Sequence, residues 1–425
     1  MLRVYLIVGL ILTVSCLGTA AALATRGEAE APSEKQLSTA HASEKNPHTT
    51  TPPIVIKKQK PIDPLKGVDV AKMRRSNGLY RQPLDDGREV TFTVDPTLQR
   101  FADDMFERYR VPAGAAVVLN SRTGRVLALS QRRGSVRYAS IPAVALDPSP
   151  PAASLFKIVT AAALLEKGNI ETGTKTCYRG GSSRLLLEHL ADAPREKSAC
   201  ASLGMALGRS INAIFAKLAD RRLERGILRE YAKRFGFNRP LPFDVPFKES
   251  TADIPQDRLE RARTAAGFWH THLSPLHAAM MVQSLAQKGA MLRPYVVEKV
   301  TGENGALLHE AKPKYLRHTV DKETATALVR AMTSTVRRGT ARKAFRDRRG
   351  VPYLPNVSVS GKTGTLMGKN PYRAYTWFAG LAPADHPEVA IAVLVVNEPK
   401  WRIKASGAAA QLLKKYFEVT KKNLD

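Results

Sequence analysis

The chain has 425 residues, of which 44% are hydrophobic, so it can bury a large core and form two or three domains. This composition excludes a wholly disordered protein. The formal charge is +28, from 66 lysines and arginines against 38 acidic residues. The excess basic residues either keep the surface hydrated or attract an anionic partner, for which nucleic acid is the first candidate.

The N-terminus contains an uncharged, mainly apolar stretch over residues 4–25. Its length is close to the ~20 residues that a helix needs to span a bilayer, so we predict a single-pass signal anchor over residues 1–25. A cleaved signal peptide ending near Ala22–Ala24 and lipid modification at Cys16 are the alternatives. All three place the rest of the chain outside the inner (cytoplasmic) membrane, in the periplasm or beyond, which excludes nucleic acid as a partner.

The next segment, residues 26–88, is rich in Pro, Ser, Thr, Lys and Glu. This bias predicts a disordered linker, with the ordered domain over residues 89–420. Alternating residues from Glu89 to Val94 predict its first strand, and Asp95-Pro96 signals a helix start. Residues 114–129 then predict a β-hairpin with its turn at residues 121–124.

The middle of the domain, from Ser154 to about Arg342, is dominated by helical periodicity. Strand patterns return at residues 357–364, 375–381 and 389–396, before a last helix. This order predicts an α+β fold, in which one antiparallel sheet is built from both ends of the domain and flanked by helices, with an inserted all-helical subdomain.

The chain has three cysteines, and Cys16 lies within the apolar segment. Cys177 and Cys200 are therefore the plausible pair in the exported part. An oxidising compartment favours a disulfide over two buried thiols, and on the chain-entropy view it contributes roughly 3 kcal/mol. Their spacing fits no zinc site, and we predict no metal and no cofactor.

Three short motifs occur in a fixed order: Ser154-Leu155-Phe156-Lys157, Ser210-Ile211-Asn212 and Lys362-Thr363-Gly364. Each alone is weak, but their combination resembles the penicillin-recognising serine transpeptidases, the penicillin-binding proteins. The resemblance covers roughly residues 89–417. It implies a covalent serine enzyme that acts on the D-Ala-D-Ala end of peptidoglycan stem peptides and is acylated by β-lactam antibiotics.

The residues around the first motif support this chemistry on physical grounds. Pro150-Pro151 and the helix formers that follow predict a helix start at Ser154, with Lys157 one turn later on the same face. A serine hydroxyl needs a base to become a nucleophile. Burial and the charge of Lys362 are expected to lower the pKa of Lys157, so that its neutral amine can serve as that base.

The resemblance implies roles for the other motif residues. Ser210 relays a proton to the departing amine, and Asn212 orients the peptide amide. Lys362 and Thr363 hold the terminal carboxylate. On the predicted strand, Gly364 lets the backbone approach a ligand closely, and the N–H groups of Ser154 and Thr365 form the oxyanion hole. For Trp377, sheet core is favoured over substrate contact.

Three alternatives to a transpeptidase remain. A D,D-carboxypeptidase uses water as the acceptor. A β-lactamase is disfavoured because none of the glutamates between the second and third motifs stands in the Glu-x-x-Leu-Asn setting of class A enzymes: Glu224, Glu230, Glu249 and Glu260. A non-catalytic sensor of wall fragments is disfavoured by the intact motifs. Cell-wall synthesis proteins are candidate partners.

Overall fold

The computed structural model describes residues 63–134, 144–192, 194–369 and 371–422. Its strands are β1 Arg74–Ser76, β2 Leu79–Pro83, β3 Glu89–Phe92, β4 Ala113–Asn120, β5 Val126–Arg133, β6 Lys175–Tyr178, β7 Ala199–Ser202, β8 Thr251–Ala252, β9 Thr271–His272, β10 Ala290–Leu292, β11 Val297–Thr301, β12 Leu307–Glu310, β13 Tyr315–His318, β14 Ser360–Gly368, β15 Arg373–Ala382 and β16 Val389–Asn397. Its α-helices are α1 Pro96–Arg108, α2 Lys157–Lys167, α3 Leu203–Arg209, α4 Asn212–Arg222, α5 Arg225–Arg234, α6 Arg258–Ala265, α7 Pro275–Ala286, α8 Lys322–Arg337 and α9 Ala405–Lys422.

The central sheet has five antiparallel strands in the order β14-β15-β16-β4-β5. It therefore joins the early hairpin to the three late strands, which confirms the predicted sheet built from both ends of the domain. β14, which carries the Lys-Thr-Gly motif, lies at one edge. One side of this strand is consequently free of a neighbouring strand of its own sheet.

Both faces of the central sheet are buried. Val393 of β16 packs into a hydrophobic core that contains residues of α1 and α9, whereas the adjacent Leu394 packs into a core that contains residues of α2 and α7. Side chains of successive strand residues point to opposite faces, so a strand covered on both sides consists of a continuous apolar run. β16 has this pattern, and every one of its residues is buried.

The first predicted strand does not join the central sheet. β3 belongs to a second five-stranded sheet with the order β1-β2-β3-β11-β12, in which Val90 lies opposite Val300. The sequence predicted a single sheet, because an alternating pattern identifies a buried face but not the strand that pairs with it.

The assignment of residues 26–88 to a disordered linker is wrong for residues 63–88, which contain β1 and β2. Two buried polar side chains hold this segment together. The amide of Gln82 accepts from Asp69 N and donates to Gly67 O, at 2.9 and 3.0 Å. The guanidinium of Arg88 donates to Pro64 O and Lys66 O, at 2.6 and 2.8 Å. The polar composition of residues 63–88 therefore led to a wrong prediction of disorder for an ordered segment.

The segment between α2 and β14 is not all-helical as predicted, because strands β6 to β13 interrupt its helices. Within it, β6 and β7 form a two-stranded ribbon in which Cys177 lies opposite Cys200. The two cysteines are joined by a disulfide, which is the pair that the sequence favoured.

The predicted anchor at residues 1–25 lies outside the described residues, as does the part of the predicted linker before residue 63. Within the described ranges, none of the helices combines the length and the apolar character needed to cross a bilayer.

Candidate active site

Ser154 lies in a tight turn below the edge of the central sheet. Residues Ala153–Phe156 form a 3-10 turn that runs directly into α2. Ala153 has a φ of +49°, in the left-handed region that alanine rarely adopts. The indole N–H of Trp377 donates to Pro151 O at 2.9 Å and ties this turn to β15. Trp377 is buried in the sheet, as the sequence favoured, and it also contributes to the lining of the candidate cavity.

Lys157 is completely buried beneath Ser154. Its Nζ lies 2.9 Å from Ser154 Oγ and 2.7 Å from Asn212 Oδ1, and it also donates to the carbonyl of Ala266. Burial, together with the positive charge of Lys362, lowers the pKa of Lys157 well below its usual range. A neutral amine at this distance can accept the hydroxyl proton of Ser154.

Lys362 is the second buried amine of the site. Its Nζ donates to Ser210 Oγ at 2.9 Å and to Thr363 O at 2.7 Å. Burial lowers the pKa of Lys362 to about 7. Ser210 stands in the turn between α3 and α4, with a φ of +56°, rather than on a helix surface. The three motifs are thereby linked by hydrogen bonds through two lysine side chains.

Gly364 allows a close approach between β14 and the turn that carries Ser154. A Cβ at this position would lie 3.2 Å from both Ala153 Cβ and Trp377 Cβ. Such contacts are tight, so the glycine lets β14 press against the turn that carries Ser154. The sequence predicted that the backbone of β14 approaches a ligand closely at Gly364. In the structure, this backbone also lies close to Ala153 and Trp377.

Ala266 and Gly267, which follow α6, also belong to the site, although they were not predicted from the sequence. The carbonyl of Ala266 accepts the hydrogen bond from Lys157, and Gly267 has a φ of +79°. A Cβ on Gly267 would collide with the backbone of Ala153 and Ser154. A glycine directly after a helix predicts a helix end, but nothing in the pattern indicates that this end touches the nucleophile.

These groups open into a cavity of about 380 Å³. It is lined by residues of all three motifs and by others from α3, the segment after α8, β15 and the start of α9: Ser154, Arg209, Ser210, Asn212, Thr340, Thr363, Gly364, Thr365, Thr376, Trp377, Lys404, Ala405 and Ser406. Ser154 and Thr365, whose backbone N–H groups are predicted to form the oxyanion hole, face the same space. The free edge of β14 borders it, so an extended peptide has a strand to lie beside.

A larger cavity of about 670 Å³ lies between the end of α8 and residues 352–359, and no motif residue lines it. The smaller cavity is the candidate site because residues of all three motifs line it. In the described part of the chain, no cluster of three or more His, Cys, Asp or Glu side chains is placed to hold a metal ion.

Comparison with known proteins agrees with this geometry. The sequence model of the penicillin-binding protein transpeptidase domain matches residues 114–418. Peptidoglycan D,D-transpeptidase PbpA of Mycobacterium tuberculosis is 29% identical over 356 residues, which cover 76% of this chain and 70% of the relative.

Solved structures of proteins of this kind have a fold similar to that of this chain. The D,D-transpeptidase domain of a peptidoglycan glycosyltransferase from Eggerthella lenta is similar with a TM-score of 0.65 and 25% identity, over 80% of this chain and 85% of that one. The imipenem acyl-enzyme complex of penicillin-binding protein A from M. tuberculosis is similar with a TM-score of 0.62 and 26% identity, over 77% and 79%.

Proposed function

Because the chain belongs to the penicillin-binding protein transpeptidase family, we propose that it is a peptidoglycan D,D-transpeptidase that works through an acyl-enzyme on Ser154. The observation that carries the proposal is the 2.9 Å contact between Ser154 Oγ and the buried Nζ of Lys157. The contact joins the hydroxyl of Ser154 to a base, Lys157, whose pKa is lowered, and Ser154 faces an open cavity.

In the first half of the reaction, neutral Lys157 accepts the proton of Ser154, and Oγ attacks the carbonyl between the two terminal D-alanines. The N–H groups of Ser154 and Thr365 stabilise the oxyanion that forms. The peptide C–N bond then breaks, and the leaving amine takes a proton by way of Ser210. Free D-alanine departs, and the rest of the stem peptide stays bound to Ser154 as an ester.

In the second half, an amine from a neighbouring stem peptide attacks the ester carbonyl. A new C–N bond forms, the C–O bond to Ser154 breaks, and the amine proton returns to Oγ through Lys157. The product is a cross-link, and the serine hydroxyl is regenerated. Water in place of the amine would make the protein a D,D-carboxypeptidase.

A β-lactamase is disfavoured by the residues around the cavity. Class A enzymes activate a water with a glutamate, but in the described ranges no Asp or Glu lines the cavity. Glu260 pairs instead with Arg263 and His270, and Glu230 faces Arg234. We therefore expect β-lactams to inhibit the protein covalently instead of being destroyed by it.

The proposed location follows from the apolar stretch at residues 4–25, which would anchor the chain in the cytoplasmic membrane with its catalytic domain outside. Peptidoglycan and its stem peptides lie on that side.

The deciding experiment supplies the purified protein with a defined pentapeptide donor and an amine acceptor, and identifies the products by mass spectrometry. A cross-linked product that is absent with Ser154→Ala supports the transpeptidase. A tetrapeptide as the only product, at every acceptor concentration, would indicate the carboxypeptidase, and no turnover of the donor would count against both.

A further inference from the structure

The Cys177–Cys200 disulfide closes a loop that reaches the second motif. This disulfide loop comprises residues 178–199, of which the structure describes all but residue 193. Within it, the backbone oxygen of Ser182 accepts a hydrogen bond from Asn212 Nδ2 at 2.5 Å. The described part of the loop lies outside the lining of the cavity, yet it contacts a residue on which the proposed reaction depends.

Two further contacts hold this loop against α4, the helix that begins with Asn212. Gly181 has a φ of +71°, and a Cβ there would lie 3.0 Å from Ala213 Cβ, so the backbone of the loop is pressed against the first turn of the helix. Further along α4, the buried Lys217 donates through Nζ to Cys177 O at 3.1 Å. The disulfide loop and one of its cysteines are therefore both attached to the helix that carries Asn212.

The orientation of the Asn212 amide matters for the proposed base. Nζ of Lys157 contacts Asn212 Oδ1 at 2.7 Å, Ser154 Oγ at 2.9 Å and the carbonyl of Ala266. A neutral amine has two N–H bonds and one lone pair. When the two N–H groups donate to Asn212 and Ala266, the lone pair is left for the hydroxyl proton of Ser154. An amide turned by half a rotation would instead present its NH2 group to that lone pair.

The carbonyl of Ser182 distinguishes these two orientations of the amide. Because a carbonyl oxygen only accepts, it favours the orientation that points Nδ2 toward the loop and Oδ1 toward Lys157. Ser182 is exposed, so water competes for this hydrogen bond. A closed loop has fewer conformations than an open segment of the same length, which keeps the carbonyl within reach of the amide.

We propose that the disulfide loop fixes the orientation of the Asn212 amide and thereby directs the lone pair of Lys157 toward Ser154. The disulfide is a positioning element of the second motif, and the rate of acylation depends on whether it is intact. The inference rests on the proposed acyl-enzyme at Ser154 and adds to it a control from outside the cavity.

The disulfide is accessible to a reductant, since Cys200 is exposed on β7. A dithiol such as dithiothreitol supplies two electrons and two protons. The bond between the two sulfur atoms breaks, two cysteine thiols form, and the dithiol is oxidised to a cyclic disulfide. Reduction removes no atom from the site, so it isolates the effect of closing the loop.

The test measures the second-order rate of acylation of the full-length protein by a fluorescent penicillin before and after reduction. Excess dithiol is removed under nitrogen before penicillin is added, and thermal unfolding identifies a temperature at which both forms are folded. We expect the reduced protein to react about tenfold more slowly, the effect of roughly one hydrogen bond. Cys177→Ser combined with Cys200→Ser is the control: it should react at the rate of the reduced protein and should not respond to the reductant.

Asn212→Ala separates a positioning role from general stabilisation of the fold. Without the amide, the loop has nothing to orient, so reduction should change the slow acylation of this variant by less than about twofold. Two independent effects would multiply instead, and reduction would then slow this variant by the same factor as the unsubstituted protein.

Gly181→Ala tests the loop with the disulfide intact, because a Cβ at this φ of +71° pushes the backbone away from Ala213. It should slow acylation by about tenfold, as expected for a displaced catalytic group. Gly173→Ala is the matched control, since a Cβ there meets nothing within 4 Å, and it should keep the rate of the unsubstituted protein.

The proposal is overturned if reduction leaves the acylation rate unchanged, or if it slows Asn212→Ala by the same factor as the unsubstituted protein. It is also overturned if Gly181→Ala reacts as fast as Gly173→Ala, and this comparison decides alone if the reduced protein does not stay folded. Failure of penicillin to label Ser154 in the oxidised protein is a separate result, which counts against the proposed acyl-enzyme itself.

Discussion

The side-chain nitrogen of Lys362 donates a hydrogen bond to the hydroxyl of Ser210 at 2.9 Å, and so connects the third motif to the second. Because burial lowers the pKa of Lys362 to about 7, its charge changes near neutral pH. The positive form attracts an anionic ligand and, through its charge, favours the neutral form of Lys157.

We therefore expect the second-order rate of acylation by a carboxylate-bearing β-lactam to fall as the pH rises through about 7, where Lys362 loses its proton. This rate reports on the free protein. In Lys362→Arg, the guanidinium keeps its charge, so the fall should move to higher pH although the absolute rate is lower. Stopped-flow acylation between pH 5 and 10 measures both pH profiles. If the acylation rate of the variant falls at the same pH as that of the unsubstituted protein, this role of Lys362 is refuted.

Replacing Ser154 by Ala should abolish covalent labelling by a fluorescent penicillin, because no other described hydroxyl contacts Lys157. The fold should persist, since only one oxygen is removed. Gel fluorescence and thermal unfolding are the measurements, with Ser183→Ala, at an exposed serine, as the control. Full labelling of the Ser154 variant would exclude this residue as the nucleophile.

Lys157→Met should stabilise the fold at pH 7 while abolishing efficient acylation. Burial in the folded protein lowers the pKa of Lys157 well below its value in the unfolded chain. At a pH between these two pKa values, the unfolded chain binds more protons than the folded protein. The unfolding free energy of the unsubstituted protein then rises with pH and falls as the pH drops toward the folded pKa. The advantage of the variant should shrink as the pH approaches about 10.5.

Urea unfolding at pH 7, 8 and 9 checks this expectation, with Lys299→Met as a control at an exposed lysine of β11. An advantage of Lys157→Met that grows with pH would contradict it. Acylation by penicillin should fall by about 10²- to 10⁴-fold in the same variant, the usual contribution of a general base.

Gly267→Ala should slow acylation by tenfold or more, because a Cβ there collides with the backbone of Ala153 and Ser154 and the φ of +79° disfavours alanine. We expect a loss of about 1–3 kcal/mol in the free energy of unfolding. Gly226→Ala is the control: it lies in α5, where a Cβ meets nothing within 4 Å and alanine favours the helix. Equal acylation rates in the two variants would show that Gly267 does not position the nucleophile.

With nitrocefin, we expect one stoichiometric burst followed by very slow turnover. The described lining of the cavity holds no Asp or Glu to activate water, and we expect the bound antibiotic to occupy the path of the acceptor. Steady-state hydrolysis after the burst is the measurement. Sustained turnover above roughly one per second, near the low end of ordinary enzyme rates, would favour a β-lactamase.

The parts of this site that the sequence predicted are those set by local spacing. Ser154 and Lys157 are one turn apart, so a short pattern is sufficient to bring them together. The contacts of Ala266 and Gly267 with that turn depend on where the end of α6 meets α2, at the hydrogen bond from Thr160 Oγ1 to Ala265 O, and no local pattern contains this information. The strands before residue 84 were missed for a related reason, since Gln82 is buried only because distant backbone atoms satisfy its amide.

The order of strands in the central sheet has a consequence for the newly made chain. β4 is flanked by β5 and by β16, with Val117 opposite Ala392, so an early segment pairs with one near the end. Because a chain is synthesised from its N-terminus, the hairpin β4-β5 is made long before its partner strand β16. The edge strand with Lys362 is joined to β4 only through β15 and β16, so we expect an incomplete chain that lacks these strands not to react with a β-lactam.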